Sequence, residues 1–581
     1  MRNFSDVIKK ARNEDFSFLC LDSISAKYIN ELGFSVSFLE DWASPEERIE
    51  IHSNARSYEK IMCEDFFEVS PKINFEIQCD GVMFNCFWYE FALQEFLYKK
   101  FIESDVQEIK FFKFSKFGPA VHEAQSDTFG NYWLNQASDK LLINPIKISK
   151  ENFRIKKILM KIEKLANLIK CNISFWLAPK DKKIILFSCT FQEFYYYKNL
   201  IFKLQKSLGK DVVVLLNNIN FLEAFKLQIK YNIKIFSFPA YISKNKFSDH
   251  IKLKKNLGNN GPFFALKSDT ENFEYFQNTR WPSMILHKIK LGQLLKKIDP
   301  SLLIYTSLED YFNQMIGSIA SEMNIHSISL PHGILATTRR GISFADDYAV
   351  GNKLAKFCAE TSGISTTKIR MLKDLDPEHE YPMNHKLKLS RKFNVIALID
   401  PVKSSSETRV YSTPPVGYKD QIKAINDLSE LSKMQEINLI IKTHPGWPEH
   451  EIVNLSNPSL MNFLCPKNTS LENLLDQADL VIGINYYGAA LVSAAKRNLP
   501  TILHYVAPIQ IFAAFDKTYS RFFHLGEMTF SSSDLLMACK KVINDKIFRE
   551  NLIQKSSEYR QTYINSSELQ SVGEYILSKV K

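Results

Sequence analysis

The sequence predicts an α/β protein built on parallel sheets, and three observations carry that expectation. From residue 182 onward, short apolar runs of strand character alternate with longer amphipathic runs, the pattern of βαβ units. The alternation breaks over 373–392, where two prolines and many charges gather, and resumes at FNVIALID, residues 393–400. Two later apolar runs, Leu439–Ile441 and Leu480–Ile482, read as buried strands that open into loops rich in Gly, Pro and His.

Composition narrows the function classes. A chain of 581 residues allows three or four domains at ~150 residues each. With 45% apolar and 24% charged residues it can bury large cores and does not read as disordered. A net charge of +10 is modest for this length; it suits an anionic substrate or an anionic surface and does not call for nucleic acid. Nine scattered cysteines, none in CxxC or metal-ligand spacing, suggest a reducing compartment. The segment MRNFSDVIKKARNEDF lacks a signal peptide's apolar core, and no apolar run approaches the ~18 residues of a membrane span. A cytoplasmic protein is expected.

Residues 1–150 read as an α/β extension. DFSFLCLDS and FSVSFLEDW have strand character, and SPEERIEIHSNARSYEKIM is helical, with Ser44 as N-cap and Pro45 at the first helical position. FWYEFALQEFLYKKFIES reads as an apolar helix and VQEIKFFKF as a strand; no chemical motif stands out, and an accessory role is the plain reading. Residues 151–179 are a basic connector. Within 149–170 Phe153, Ile155, Ile158, Leu159, Ile162, Leu165 and Ile169 keep helical spacing among six lysines and one arginine. Such a helix either lies on a membrane surface or packs as a linker with a solvated lysine face. Residues 180–372 form the first Rossmann-like unit, with a long loop over 242–270, and 373–392 the linker. Residues 393–581 form the second unit, with closing helices over 534–545 and about 547–561.

The chemistry gathers at strand ends. NLIIKTHPG places Lys442, His444, Pro445 and Gly446 after one strand, and ADLVIGINYYG places Gly483, Asn485, Tyr486, Tyr487 and Gly488 after another, before a small-residue helix. A strand that opens through a glycine loop into a helix is an anion site, because the helix N-terminus carries partial positive charge and free N–H groups. In the first unit Leu330-Pro331-His332-Gly333 ends a strand, and His332 is the side chain that exchanges a proton near neutral pH with little tuning. It is either an active-site group or a turn histidine. Arg339 and Arg340 either meet donor phosphate or an acidic sugar, or stay solvated. Glu309 and Asp310 precede a helix, where carboxylates also serve as ordinary caps. Asp374-Leu375-Asp376 matches a DxD metal motif but lies in the linker and is discounted; Walker, GxGxxG and HExxH patterns do not occur.

These motifs, in their order and spacing, resemble the donor-binding half of GT-B glycosyltransferases that build bacterial surface polysaccharides. The nearest groups are capsule-polysaccharide synthesis proteins, Kdo- and sialyltransferases, and CDP-polyol phosphotransferases. The resemblance covers about the last 400 residues. It rests on His444-Pro445 and on the Ala478-Asp479-Leu480-Val481-Ile482 strand; the family's small hydroxyl pair is replaced by Asn485, Tyr486 and Tyr487. It implies two Rossmann-like doubly wound domains, with the closing helices 534–545 and about 547–561 crossing back onto the first, and transfer of a sugar from a nucleotide donor to a cell-surface glycan or glycolipid. A CMP-activated acidic sugar leads among the donors. It also implies a catalytic role for His332 or for the Glu309–Asp310 pair, donor contacts from the second-unit loops, no metal or other cofactor, and peripheral contact with the inner membrane at most. CDP-polyol phosphotransfer and a non-hydrolysing UDP-sugar 2-epimerase are the alternatives; the long N-terminal extension counts against the epimerase.

Overall fold

The computed structural model describes residues 17–20, 26, 29–69, 89–106, 108–114, 142–148, 165–166, 169, 172–173, 176, 185–208, 211–217, 219, 221–239, 281–306, 311–331, 344–375, 392–399, 416–443, 457–466, 469–485, 488–565 and 569–580. The loop expected over 242–270 and most of the basic helix over 149–170 lie outside them.

The extension contains β1 (Phe18–Cys20), β2 (Val36–Phe38), helix α1 (Pro45–Val69), helix α2 (Tyr89–Glu103), β3 (Glu108–Phe114) and β4 (Leu142–Ile148). Ser44 caps α1 as expected: its hydroxyl accepts from Glu47 N at 3.2 Å and Glu47 Oε2 accepts from Ser44 N at 2.9 Å, a reciprocal capping box. The strands form two separate parallel pairs, β1-β2 and β3-β4, not one sheet. Strand β4 is not evident in the sequence because Pro145 sits inside it, a residue tolerated only where no ladder partner needs its N–H.

The first sheet is built from β5 (Ile185–Cys189), β6 (Val212–Asn217), β7 (Lys234–Phe238), β8 (Leu302–Thr306), β9 (Ser327–Leu330), β10 (Asp347–Val350) and β11 (Ile369–Met371). Its order is β11-β10-β9-β8-β5-β6-β7 and every pair is parallel. Helices α3 (Phe191–Leu208), α4 (Phe221–Tyr231), α5 (Trp281–Ile298), α6 (Tyr311–Glu322) and α7 (Lys353–Thr361) connect the strands. The strands read as continuous apolar runs because helices cover both faces. Two buried clusters lie on opposite faces, one with Leu186, Leu303 and Tyr305, the other with Ile185, Phe187 and Ile304.

The second sheet comprises β12 (Phe393–Ile399), β13 (Ile437–Thr443), β14 (Leu480–Ile484), β15 (Thr501–His504) and β16 (Glu527–Thr529) in the parallel order β13-β12-β14-β15-β16. Helices α8 (Tyr418–Asn426), α9 (Ala489–Lys496), α10 (Ser532–Asn544) and α11 (Lys546–Tyr559) flank it. The expectation of two Rossmann-like parallel sheets with an α/β extension therefore holds.

Two boundaries move. The crossing back is not made by 534–545 or 547–561, which join the second core through Leu535, Val542 and Leu552. After a π turn at Arg560–Ile564, the last helix, α12 (Val572–Val580), packs on α3 and buries Val572, Tyr575 and Ile576 in the first core. The start of the linker belongs to the first unit too: Lys373 bridges Ser571, and Leu375 is buried in the same core. Charge locks this closure, since Asp347 pairs with Arg370 at 2.8 Å, His326 at 2.9 Å and Lys579 of α12 at 3.3 Å. Helix α7 serves both cores: Leu354 and Cys358, one turn apart, join the second, while Ala355 and Ala359 join the first. The extension docks on the second unit; Phe38 packs on its core, and His52 meets Phe515 edge-on at 5.3 Å.

Candidate functional site at the carboxyl edges of the two sheets

In open α/β sheets ligands bind outside the carboxyl ends of the strands, where the strand order reverses. The second sheet runs outward from β12 in two directions, so its reversal lies between β12 and β14. At this edge Thr443, Ile399, Ile484, His504 and Thr529 stand in register across the five strands, with Lys442, Leu398, Gly483, Leu503 and Met528 one row below. Both loops singled out by sequence open from these rows. His444, Pro445 and Gly446 follow Thr443, and Tyr486 and Tyr487 follow Asn485; these five lie outside the described residues.

Four of the expected donor residues are described. Lys442 is buried, 6% exposed, near the Cys465 thiol, where its charge opposes the upward push of burial on that thiol. It places a buried cation in the strand, one row below Thr443. Gly483 lies inside β14, and its role is packing: a Cβ there would stand 3.3 Å from Leu491 of α9 and 3.4 Å from Leu503. The helix can therefore lie close to the sheet. Gly488 stands at φ 154° as the N-cap of α9. Asn485 turns inward. It sits in the left-handed region at φ 47°, its Nδ2 donates to Gln421 Oε1 at 2.9 Å, and its Oδ1 accepts from Val506 N at 3.1 Å. Its side chain shapes the loop and does not face a ligand. Beside it the His504 ring is fixed by Asp427 at 2.9 Å and Thr529 at 3.0 Å, tying the sheet edge to the end of α8.

The first sheet reverses between β5 and β8. Here α3 begins with a second reciprocal cap: Glu193 Oε2 accepts from Thr190 N at 2.8 Å, and Glu193 N donates to Thr190 Oγ1 at 3.2 Å. The same carboxylate, fully buried, accepts from the Thr306 hydroxyl at the end of β8. One turn along α3, Tyr197 donates to the carbonyl of Pro331, which precedes His332. Burial and the Glu193 carboxylate push the Cys189 thiol well above its ordinary range. Thus α3 holds the ends of the strands that lead to Glu309–Asp310 and to His332. Those three residues, Arg339 and Arg340 lie outside the described residues.

Sequence reading missed Glu193, Tyr197 and Gln421. Thr190-x-x-Glu193 carries the capping-box signature, but Tyr197 and Gln421 gain their roles from contacts 134 and 64 residues away in the chain. Among the described residues no three His, Cys, Asp or Glu side chains form a metal-ligating group, and no helix is long and apolar enough to cross a membrane.

No protein-family model matches the chain, and no curated protein matches it. Several solved structures resemble it distantly. A UDP-GlcNAc 2-epimerase from Neisseria meningitidis bound to UDP-GlcNAc is 9% identical over 69% of this chain and 99% of its own, with a TM-score of 0.40. MurG from Acinetobacter baumannii is 9% identical over 68% and 99%, at 0.37. A wall teichoic acid polymerase is 10% identical over 74% and 98%, at 0.37. Similarity at this level carries nothing about chemistry.

Proposed function

We propose that the protein is a GT-B-type glycosyltransferase that moves a sugar from a nucleotide donor to a bacterial cell-surface glycan or glycolipid. One coincidence carries the reading. Each parallel sheet reverses its strand order once, and the chemistry-bearing loops leave the carboxyl ends of strands at or beside those reversals. Glu309 and Asp310 follow β8 and His332 follows β9; His444 follows β13 and the Asn485–Gly488 loop follows β14.

In this reading the second unit holds the donor. The N-terminus of α9 and the loop amides face the phosphate, Lys442 adds positive field from below, and His444 contacts the departing nucleotide. The acceptor hydroxyl oxygen attacks the anomeric carbon, the bond from that carbon to the phosphate oxygen breaks, and the nucleotide leaves with the electron pair. His332 or a carboxylate of the Glu309–Asp310 pair takes the hydroxyl proton. Helix dipoles and basic groups offset the phosphate charge, so we expect turnover without a divalent cation; loss in EDTA that Mg²⁺ or Mn²⁺ restores would refute that. We favour a CMP-activated acidic sugar because His444-Pro445 is the motif shared with enzymes of that class. CDP-polyol phosphotransfer is the second reading, favoured by His332-Gly333 together with His444-Pro445. It differs in leaving phosphorus in the product.

A thermal-shift screen with CMP, CDP, UDP and GDP tests the donor site. A ligand at 100 times its Kd adds about 2.7 kcal/mol. Stabilisation by a cytidine nucleotide supports the reading, and no response to any of the four overturns it. For peripheral contact with an anionic membrane we propose the outer face of α4, which exposes Leu222 (68%), Phe225 (49%) and Ile229 (67%) beside exposed Lys226 and Lys230. Co-sedimentation with phosphatidylglycerol vesicles that survives Leu222→Asp with Ile229→Asp would refute it.

A further inference from the structure

The first 150 residues carry no chemical motif, yet part of them is built into the second unit beside its strand-order reversal. Helix α8 is the first described helix after β12, and its first turn is gripped from the extension. Glu40, with a side chain only 9% exposed, lies against the first turn of α8 at Gly417. A Cβ on Gly417 would stand 1.4 Å from Glu40 Oε1, so only glycine leaves room for the carboxyl group. Arg48, 3% exposed, lies 3.7 Å from Glu40 Oε1 and donates to Asp420 Oδ2 at 2.9 Å. That oxygen also accepts from Gly417 N at 3.2 Å, closing the helix start. Lys419 pairs with Asp41 on the outside.

The next residue of α8 is Gln421. It is 1% exposed and accepts from Asn485 Nδ2 at 2.9 Å, while Asn485 Oδ1 accepts from Val506 N at 3.1 Å. Asn485 holds a left-handed backbone at the exit of β14, and its two side-chain bonds keep that conformation in place. A continuous chain of contacts therefore runs from residues 40–48, through the first turn of α8, to the mouth of the loop that ends at Gly488. A buried ion pair adds little net stability, so the part we assign to this one is to fix how the extension sits on α8.

We propose that Glu40 and Arg48 are positioning residues for the donor loop, acting through Asp420 and Gln421 on Asn485, and that docking of the extension sets donor affinity. The affinity part rests on the donor-site reading above. The positioning part stands on its own geometry.

The test uses the full-length protein with Arg48→Met, Gln421→Ala and the double variant. Two quantities are read: backbone hydrogen exchange over residues 485–492 without ligand, and the Kd for whichever of CMP, CDP, UDP or GDP stabilises the native protein. Each single variant should speed exchange there about tenfold and weaken the nucleotide about tenfold, or about 1.4 kcal/mol. The double variant should be little worse than either single, since both cut one chain of contacts. Acceptor KM should not move. If Arg48→Met does not fold, Gly417→Ala replaces it, because its backbone φ of −90° accepts alanine and the added methyl displaces Glu40. Unchanged exchange in both singles, or full additivity in the double, overturns the proposal. If no nucleotide binds the native protein, the donor reading fails while the exchange rates still decide the positioning.

Discussion

At the reversal of the first sheet a buried carboxylate fills the space: Glu193 caps α3 and takes the Thr306 hydroxyl, and Tyr197 on the same helix holds the carbonyl before His332. At the reversal of the second sheet the described residue at the strand exit is an amide, and the nearby Asp427 carboxylate is taken up by the His504 ring. Asn485 turns its amide inward onto Gln421 and Val506, a glycine lets α9 lie close to β14, and Lys442 sits beneath. The same topology thus gives two edges whose described residues differ: a buried carboxylate on a hydroxyl at one, an amide network with a buried lysine at the other. Under the function proposed above, the first edge serves the group that takes the hydroxyl proton and the second, with a helix N-terminus and a buried lysine, serves the donor phosphate. The difference comes from the few residues at strand ends, not from the sheets.

The largest effect should separate the two edges. His332→Ala is expected to lower turnover by about 10²–10⁴ and leave nucleotide affinity nearly intact, as for a lost general base. Steady-state rates alongside calorimetric Kd values check this. Glu309→Gln and Asp310→Asn are the control: a dead carboxamide variant beside an active His332→Ala moves the base to the acidic pair. On the other edge His444→Ala should weaken nucleotide binding by about ten- to a hundredfold, the loss of one charge-assisted contact of ~1.5–3 kcal/mol. Unchanged affinity would put the donor elsewhere and dissolve the contrast.

The closure that brings the two units together gives the next effect. Asp347 is 2% exposed, and burial alone would raise its pKa. The hydrogen bonds from Tyr575 and Lys579, with the Lys579 and Arg370 charges, outweigh burial and hold it below its ordinary 3.8. A depressed carboxylate stabilises the fold above its unfolded pKa and loses that contribution as pH falls through the folded value. Asp347→Asn should therefore destabilise at pH 7 by ~1–3 kcal/mol, discounted because Arg370 and Lys579 are partly hydrated. The gap to the native protein should shrink below about pH 3.8, read by urea unfolding at the two pH values. A pH-independent gap would mean that Asp347 acts through packing alone.

The smallest effect tests the packing at the second edge. Gly483→Ala places a methyl 3.3 Å from Leu491 and 3.4 Å from Leu503, tight enough to cost ~1 kcal/mol. Where the helix α9 gives way rather than the Leu491 side chain, nucleotide affinity should fall with it. A stable variant with native affinity would show that the close approach of α9 has no part in the donor edge.

Much of this was legible from residue order. Strands such as FNVIALID and the run before His444 are apolar on both faces, a pattern produced only by double burial in a parallel sheet. Caps such as Ser44 with Glu47 use neighbours three residues apart, so their geometry is local and readable. Strand β4 escapes because its proline denies the local signal, and β11 because three residues, Ile369–Met371, have no period to detect.

Residue order by itself determined the fold class, the two-unit division and the places where chemistry-bearing loops leave the strands, because periodicity, capping and glycine loops are short-range properties. Only the tertiary structure decided which helix closes the molecule. Val572–Val580 looks like any amphipathic helix until Tyr575 and Lys579 meet Asp347, more than two hundred residues earlier. It also decided that Asn485 points into the protein and that the extension grips α8, since each depends on partners brought together by packing of distant segments. No local pattern encodes a contact whose energy appears only after both cores have formed.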